Sequence, residues 1–209
     1  MNGCKTMICF KKWLDQQVIK KWRQQYHILE HINEINRHYA DVNGFEISTQ
    51  ARIENPQLEL TYGEIQLESF LALISMTKPT HESVFYDLGC GLGKTVLACS
   101  QVFAMKKCYG VECMPELLNI AAQKSKGNIT YLQQNILDTQ WTDATILFIN
   151  VASFIPELWK AITQKIQHQP VSIIISCAKP LALSKQYTVT NTQVLCSWGV
   201  IPAYIHKLT

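Results

Sequence analysis

Residues 85–100 read FYDLGCGLGKTVLACS: an apolar run reaches Asp87, glycines alternate at Gly89, Gly91 and Gly93, and an apolar segment of helical period follows at once. A chain that leaves a strand and enters a helix within so few residues needs backbone conformations that a Cβ resists, and glycine supplies them. The start of the helix then presents unpaired backbone N–H groups, which favour an anionic group such as a carboxylate. The next apolar run, Lys107–Glu112, ends on a carboxylate, where an acid can accept hydrogen bonds from both hydroxyls of a ribose. After a third run, Asn135 can meet an adenine edge with its amide while Ile136 packs on the ring. Strand, turn, helix, strand and acid together predict a site for S-adenosylmethionine at Asp87–Gly93. Two other readings of the glycines fail on spacing. A dinucleotide turn runs G-x-G-x-x-G, whereas this one runs D-x-G-x-G-x-G. Gly93-Lys94-Thr95 matches the end of a phosphate loop, but the first glycine of that motif would fall at Leu88.

The segments around this turn alternate in the same way. Ser83–Leu88, Lys107–Glu112, Ile129–Leu132, Thr145–Asn150 and Val171–Cys177 are apolar runs of strand length, and Leu92–Phe103, Pro115–Ser125 and Pro156–His168 have helical period. Strands alternating with helices imply a parallel sheet with right-handed crossovers. Near the end, Tyr187–Thr190 and Gln193–Trp198 flank Asn191-Thr192 as an expected hairpin, with Ala203–Lys207 as a further strand. The expected fold is α/β, a class I methyltransferase (Rossmann-like), doubly wound and mostly parallel sheet closed by a C-terminal antiparallel hairpin. The 209 residues, 47% of them apolar, suffice for one core and an appendage. We expect an N-terminal helical arm and connection at 1–55 and the catalytic domain at 56–209.

The arm carries apolar residues from Trp13 to Tyr39 at three- and four-residue steps, which predicts one amphipathic helix over 11–40. Asn43-Gly44 breaks it, 45–63 reads as an irregular connection containing Asn55-Pro56, and a helix is expected from about Glu64 to Thr77, before Pro79. Residues 1–40 hold seven basic and three acidic side chains, whereas the whole chain has a net charge of +3. Such an arm suits an acidic partner, nucleic acid or nucleoprotein, or is a solvated helix face. No apolar run approaches the roughly 18 residues of a membrane span and the start lacks a secretory h-region, so a cytoplasmic protein with no membrane partner is expected. The eight cysteines include no C-x-x-C pair and are expected to be reduced, small apolar residues rather than a metal site.

Tyr62-Gly63-Glu64 upstream of the glycine turn is not a general feature of such folds. With Asp87–Gly91 (DLGCG) and Gly110-Val111-Glu112 in the same order, the chain resembles the non-SET protein-lysine methyltransferases of the disruptor-of-telomeric-silencing type, which act on a lysine of the nucleosome core. Residues 147–157, LFINVASFIPE, are similar to that family's F-V-N-N-F-A-F-G-P-E; 175–180, ISCAKP, to its V-S-S-K-P; and Ser197-Trp198 with Tyr204-Ile205-His206 to its closing S-W and Y-L-H. The likeness covers about 60–207. It implies that Tyr62 and Glu64 close over the cofactor and that Asp87, Gly89, Gly91, Lys94, Glu112 and Asn135 line it. It further implies that Asn150 stands at the methyl-transfer face, with Phe154 and Tyr204 walling a channel for a protein substrate's target lysine. Where the family usually has glutamine, aspartate and a second asparagine, this chain has Lys94, Asn135 and Val151, and Ile65 replaces a polar residue after Glu64.

An aromatic channel suits this chemistry. A free lysine, with a pKa of about 10.4, is protonated at neutral pH, and an apolar wall favours the neutral amine that must attack. Three other classes share the turn: an RNA or DNA amino-methyltransferase, a small-molecule methyltransferase, and a binding module without turnover. The first usually carries [ND]-P-P-[YF] after the fourth strand, where this chain has Asn150-Val151-Ala152-Ser153-Phe154.

Overall fold

The computed structural model describes residues 15–54, 56 and 61–209. The expected beginning of the arm at 11–14, with Trp13 and Leu14, lies outside the described residues, as do Asn55, 57–60 and the cysteines Cys4 and Cys9. The strands are β1 (Val84–Leu88), β2 (Lys107–Glu112), β3 (Ile129–Gln133), β4 (Ile146–Asn150), β5 (Ile173–Cys177), β6 (Tyr187–Cys196) and β7 (Gly199–Leu208). They form one sheet in the order β3-β2-β1-β4-β5-β7-β6. β1 to β5 pair in parallel, and β7 runs antiparallel to both β5 and β6. This is the class I methyltransferase order. It reverses direction at β1, between β2 and β4, and opens a crevice at the strand ends where open α/β sheets take their ligands.

Helices cover both faces. α1 (15–25), α2 (Ile28–His38), α3 (Gly44–Glu54), α4 (Leu67–Ser75), α5 (Lys94–Phe103) and α6 (Pro115–Gln123) precede β3, and α7 (Pro156–His168) links β4 to β5. On one face Ile28 and Ile35 of α2, Phe70 of α4 and Val96 and Leu97 of α5 share a core with Phe85 and Phe148. Phe70 meets both of those rings edge-on, at 6.1 and 5.1 Å between centroids. On the other face Ile162 and Ile166 of α7 pack with Tyr86, Leu147, Ile149 and Trp141. Burial on both faces explains why β1 and β4 read as continuous apolar runs without alternation. The six described cysteines are free, and all but Cys113 are buried.

The structure corrects three expectations. The arm is two helices, because His27 adopts a left-handed φ of 48° between α1 and α2. The bend lets Trp22 Nε1 donate to Ser75 Oγ at 2.8 Å while Ile28 and Ile35 reach the main core. The expected irregular stretch after Asn43 is instead α3. Asn43 caps it, accepting from the Glu46 N–H at 3.3 Å through its side chain and from the Ile47 N–H at 3.1 Å through its carbonyl. The Asn-Gly pair therefore starts a helix, α2 having already ended at His38 with Tyr39 as its cap, and α3 was illegible because it has no apolar stripe. Finally, Asn191-Thr192 is not a turn. β6 runs unbroken through it and pairs with β7 from Tyr187↔Leu208 to Cys196↔Gly199, with Ser197-Trp198 as the two-residue connection. β6 is an edge strand, so its polar side chains are exposed and mimic a loop.

Candidate active site

The strand ends of β1, β2 and β4 converge on a cavity of about 830 Å³, within the range of pockets that hold a small organic ligand. Its floor is the glycine turn. Gly89 has φ 89°, and a Cβ there would project with no atom within 4 Å, so this backbone is open to the cavity. α5 then begins with Gly93 as a left-handed cap, no side-chain cap and no acidic residue in its first turn. The positive end of the helix is left available to an anionic group.

Glu112, at the tip of β2, is 8% exposed. Its Oε2 accepts from the Gly91 N–H at 3.0 Å, and its Oε1 from the Cys113 and Met114 N–H groups, each at 2.9 Å. Glu112 thus ties the glycine turn, through Gly91, to the backbone that follows β2, and the Cys113 thiol adds a weaker contact to Oε1 at 3.5 Å. Asn135 is exposed at the cavity wall with its Oδ1 on the Leu137 N–H at 2.8 Å, and Ile136 beside it is half-buried in the α7-side core. These groups fit an adenosine: an acid for ribose, an amide and an aliphatic face for the base.

The roof is the Tyr62-Gly63-Glu64 loop. Glu64 Oε1 accepts from the Tyr62 hydroxyl at 2.5 Å and from Lys94 Nζ at 2.7 Å. The Tyr62 ring meets Phe45 of α3 edge-on, 5.2 Å between centroids. The hairpin tip staples the same loop from the other side, with the Ser197 N–H donating to the Glu64 carbonyl at 2.7 Å. The Trp198 ring lies 2.3 Å from where a Gly63 Cβ would stand, so only glycine admits this contact. Lys94 is thus spent on the loop, and Ile65, where a polar residue was expected from the resemblance, is buried and bridges Cys196.

At the far wall Asn150 closes β4. Its Oδ1 is buried and has no hydrogen-bond partner among the described residues. Phe154, 9% exposed, lines the cavity next to it. Val151 points into the α7-side core with no exposure, which is why apolar valine stands there.

Of the residues assigned from sequence to the cofactor or the acceptor, all but Tyr204 line this cavity, while Gly93 of the turn caps α5. Tyr204 pairs with Ser176 one position inside the end of β5. Its neighbours Ala203 and Ile205 face the core shared with α4 and α5, so alternation turns Tyr204 to the opposite face. Trp198 and Phe45 supply aromatic wall instead. Trp198 was visible only as part of a motif, and Phe45 carried no signal because its helix was unseen.

Two buried titratable groups oppose each other. Burial raises Asp87 to about 7 against a hydrogen bond from Thr95, with the Glu112 charge adding to the rise. Burial lowers His206 to about 4. Asp87 contributes stability that is complete below its ordinary 3.8 and is lost as pH rises to about 7, because the folded chain keeps a proton that the unfolded chain has released. His206 behaves inversely: its contribution is complete above 6.5 and is lost as pH falls to about 4. Asp87→Asn should therefore make stability climb with pH over that window more steeply than in the wild type, and His206→Gln should make it fall, each by at most about 1.4 kcal/mol per pH unit. Urea unfolding at pH 4, 5.5 and 7 reads this, and parallel profiles for all three proteins would refute it.

Among the described residues no group of three His, Cys, Asp or Glu side chains could hold a metal ion, and no helix is long and apolar enough to cross a membrane. The family model described as "Histone methylation protein DOT1" matches residues 55–197. A protein-lysine N-methyltransferase of Saccharolobus islandicus (strain REY15A) is 26% identical over 98 residues, covering 44% of this chain and 61% of that protein. The match thus spans about three fifths of the relative's length. An RNA methyltransferase from Salinibacter ruber, solved in complex with S-adenosyl-L-homocysteine, superposes with a TM-score of 0.56 at 16% identity, covering 68% of this chain and 90% of that one. Precorrin 8W decarboxylase of Methanobacterium thermoautotrophicum gives 0.53 at 17%, covering 71% and 93%. Two such different chemistries on one architecture show the fold alone.

Proposed function

The chain belongs to the DOT1 family, and from that premise we propose that it is an S-adenosylmethionine-dependent methyltransferase whose acceptor is a lysine side chain of a protein, a core histone or another basic protein. The observation that carries the acceptor is Asn150: a buried amide oxygen with no partner among the described residues, at the wall of the cavity beside an aromatic ring. An unmet buried acceptor costs about 1–3 kcal/mol, and an incoming amine N–H relieves that cost.

The cofactor supplies an electrophilic methyl group on a sulfonium. The protein's tasks are then to hold both reactants in line and to keep the amine neutral. Gly89 and Gly91 let the backbone approach the ligand, the start of α5 faces its carboxylate, and Glu112, Asn135 and Ile136 receive its nucleoside. Asn150 accepts one N–H of the amine and so aims the nitrogen lone pair across the cavity, without adding a base that would hold a proton. Phe154 and Trp198 exclude water, penalise the ammonium form and tolerate a methylated product against their faces. The basic arm, with Lys20 and Lys21 exposed on α1, suits an acceptor presented with nucleic acid.

The test is incubation with radiolabelled S-adenosylmethionine and separate pools of core histones, nucleosomes, lysate proteins, RNA and DNA. Label on protein that maps to lysine is the expected result. Label confined to nucleic acid would replace this reading with a nucleic-acid amino-methyltransferase, and cofactor binding without transfer to any pool would replace it with a small-molecule enzyme or a binding module.

A further inference from the structure

The wall residue Phe154 sits in the connection 151–155 between β4 and α7, which has no regular structure of its own. Within that connection the Phe154 N–H donates to the Val151 carbonyl at 3.2 Å. The contact that ties its far end down comes from the turn just after β5: Lys179 Nζ donates to the Phe154 carbonyl at 2.8 Å. Lys179 is half-buried and, among the described residues, its ammonium makes no ion pair. A half-buried ammonium donating to a backbone carbonyl pins the segment that carries that carbonyl.

The backbone before Lys179 is unusual. Ala178 has φ 72°, a left-handed conformation that an alanine adopts at a cost on the order of 1 kcal/mol. Its N–H is held by the Pro202 carbonyl of β7 at 2.8 Å, so the turn is over-determined by the sheet. That turn leads directly from β5 to Lys179, and β5 is the strand that pairs with β4 through Asn150↔Cys177. Strain kept at one residue, followed by a cation aimed at the acceptor wall, is the pattern of a positioning device.

We propose that Lys179 is a positioning residue for the lysine acceptor: it fixes the Phe154 backbone, and with it the aromatic wall beside Asn150, while taking no part in holding the cofactor. The inference rests on the acceptor reading above, and its first measurement does not. In the full chain, Lys179→Met is expected to raise hydrogen exchange at 151–155 by about tenfold while leaving S-adenosylhomocysteine affinity within about twofold. Acceptor KM should then rise or kcat fall by about tenfold, since sub-ångström misplacement of a reacting partner has effects of this order. Lys179→Arg keeps a donor within reach and should restore both readings. Unchanged exchange in the methionine variant, failure of arginine to restore it, or an equal loss of cofactor affinity would each overturn the proposal. If the wild type transfers no methyl to lysine, the acceptor reading fails by itself, and the exchange and affinity measurements still decide whether Lys179 anchors the wall.

Discussion

Asn150→Ala is expected to lower methyl transfer by about 10²–10³-fold, the usual consequence of removing one preorganised polar contact at a reacting centre. S-adenosylhomocysteine should bind with near wild-type affinity, because the proposal assigns the asparagine oxygen to the acceptor, and the glycine turn and Glu112 are untouched. Stability should hold or rise, since the substitution removes a buried acceptor that has no partner among the described residues. Asn150→Asp is the sharper control. A carboxylate there would hold the incoming amine as ammonium, so its rate should be low at neutral pH and recover in part as pH rises. Calorimetric titration beside single-turnover transfer separates the two effects. A variant that loses cofactor affinity and rate together would show that Asn150 serves the cofactor instead of the acceptor.

Gly91→Arg is expected to abolish cofactor binding, weakening it by more than about a hundredfold. Gly91 adopts φ 53°, and a Cβ at this position would stand 2.6 Å from the Tyr62 ring. Any side chain must therefore displace the loop that roofs the cavity, and the left-handed backbone adds about 1–2 kcal/mol of strain. The Gly91 N–H is also the group that Glu112 Oε2 holds, so a shifted turn unbraces the carboxylate proposed to receive the ribose. Gly91→Ala should be intermediate, with the same direction and a smaller loss. The checks are isothermal titration with S-adenosylhomocysteine and a thermal melt of each variant. Binding by the arginine variant at wild-type strength would mean that the ligand does not lie over this turn.

The legible parts of the fold were those whose physics is local. β2 and α7 begin and end where apolar period and flanking proline place them, and α5 follows the glycines because a strand entering a helix at Gly93 has few other routes. The cavity residues Asp87, Gly89, Gly91 and Glu112 could be found for the same reason: turn, helix start and strand end are joined by short segments of chain. Of the aromatic wall only Phe154 could, and that through the resemblance. Tyr204 and Trp198 both sit in a tail whose face assignment depends on register, and moving the turn from Asn191-Thr192 to Ser197-Trp198 changes which residue reaches the cavity. Phe45 depends on a helix that only its asparagine cap announces.

The substitutions that set this chain apart from the resemblance divide in the same way. Val151 and Ile65 could be named from sequence, yet their reasons are tertiary: one is buried under α7 and the other bridges the last hairpin. Lys94 is likewise explained by Glu64, a residue on a separate loop at 2.7 Å.

By itself, then, the amino-acid order determined the sheet's alternation, the glycine turn, the carboxylate at the tip of β2 and the family, because each is a short-range consequence of period, backbone freedom or charge at a strand end. Tertiary structure alone decided that α3 packs on the roof, that Tyr62, Glu64 and Lys94 form one roof, that Trp198 lines the cavity while Tyr204 does not, and that Lys179 holds Phe154. Those contacts join segments far apart in the chain, and their geometry exists only once strand register and helix packing have set which side chains share a face.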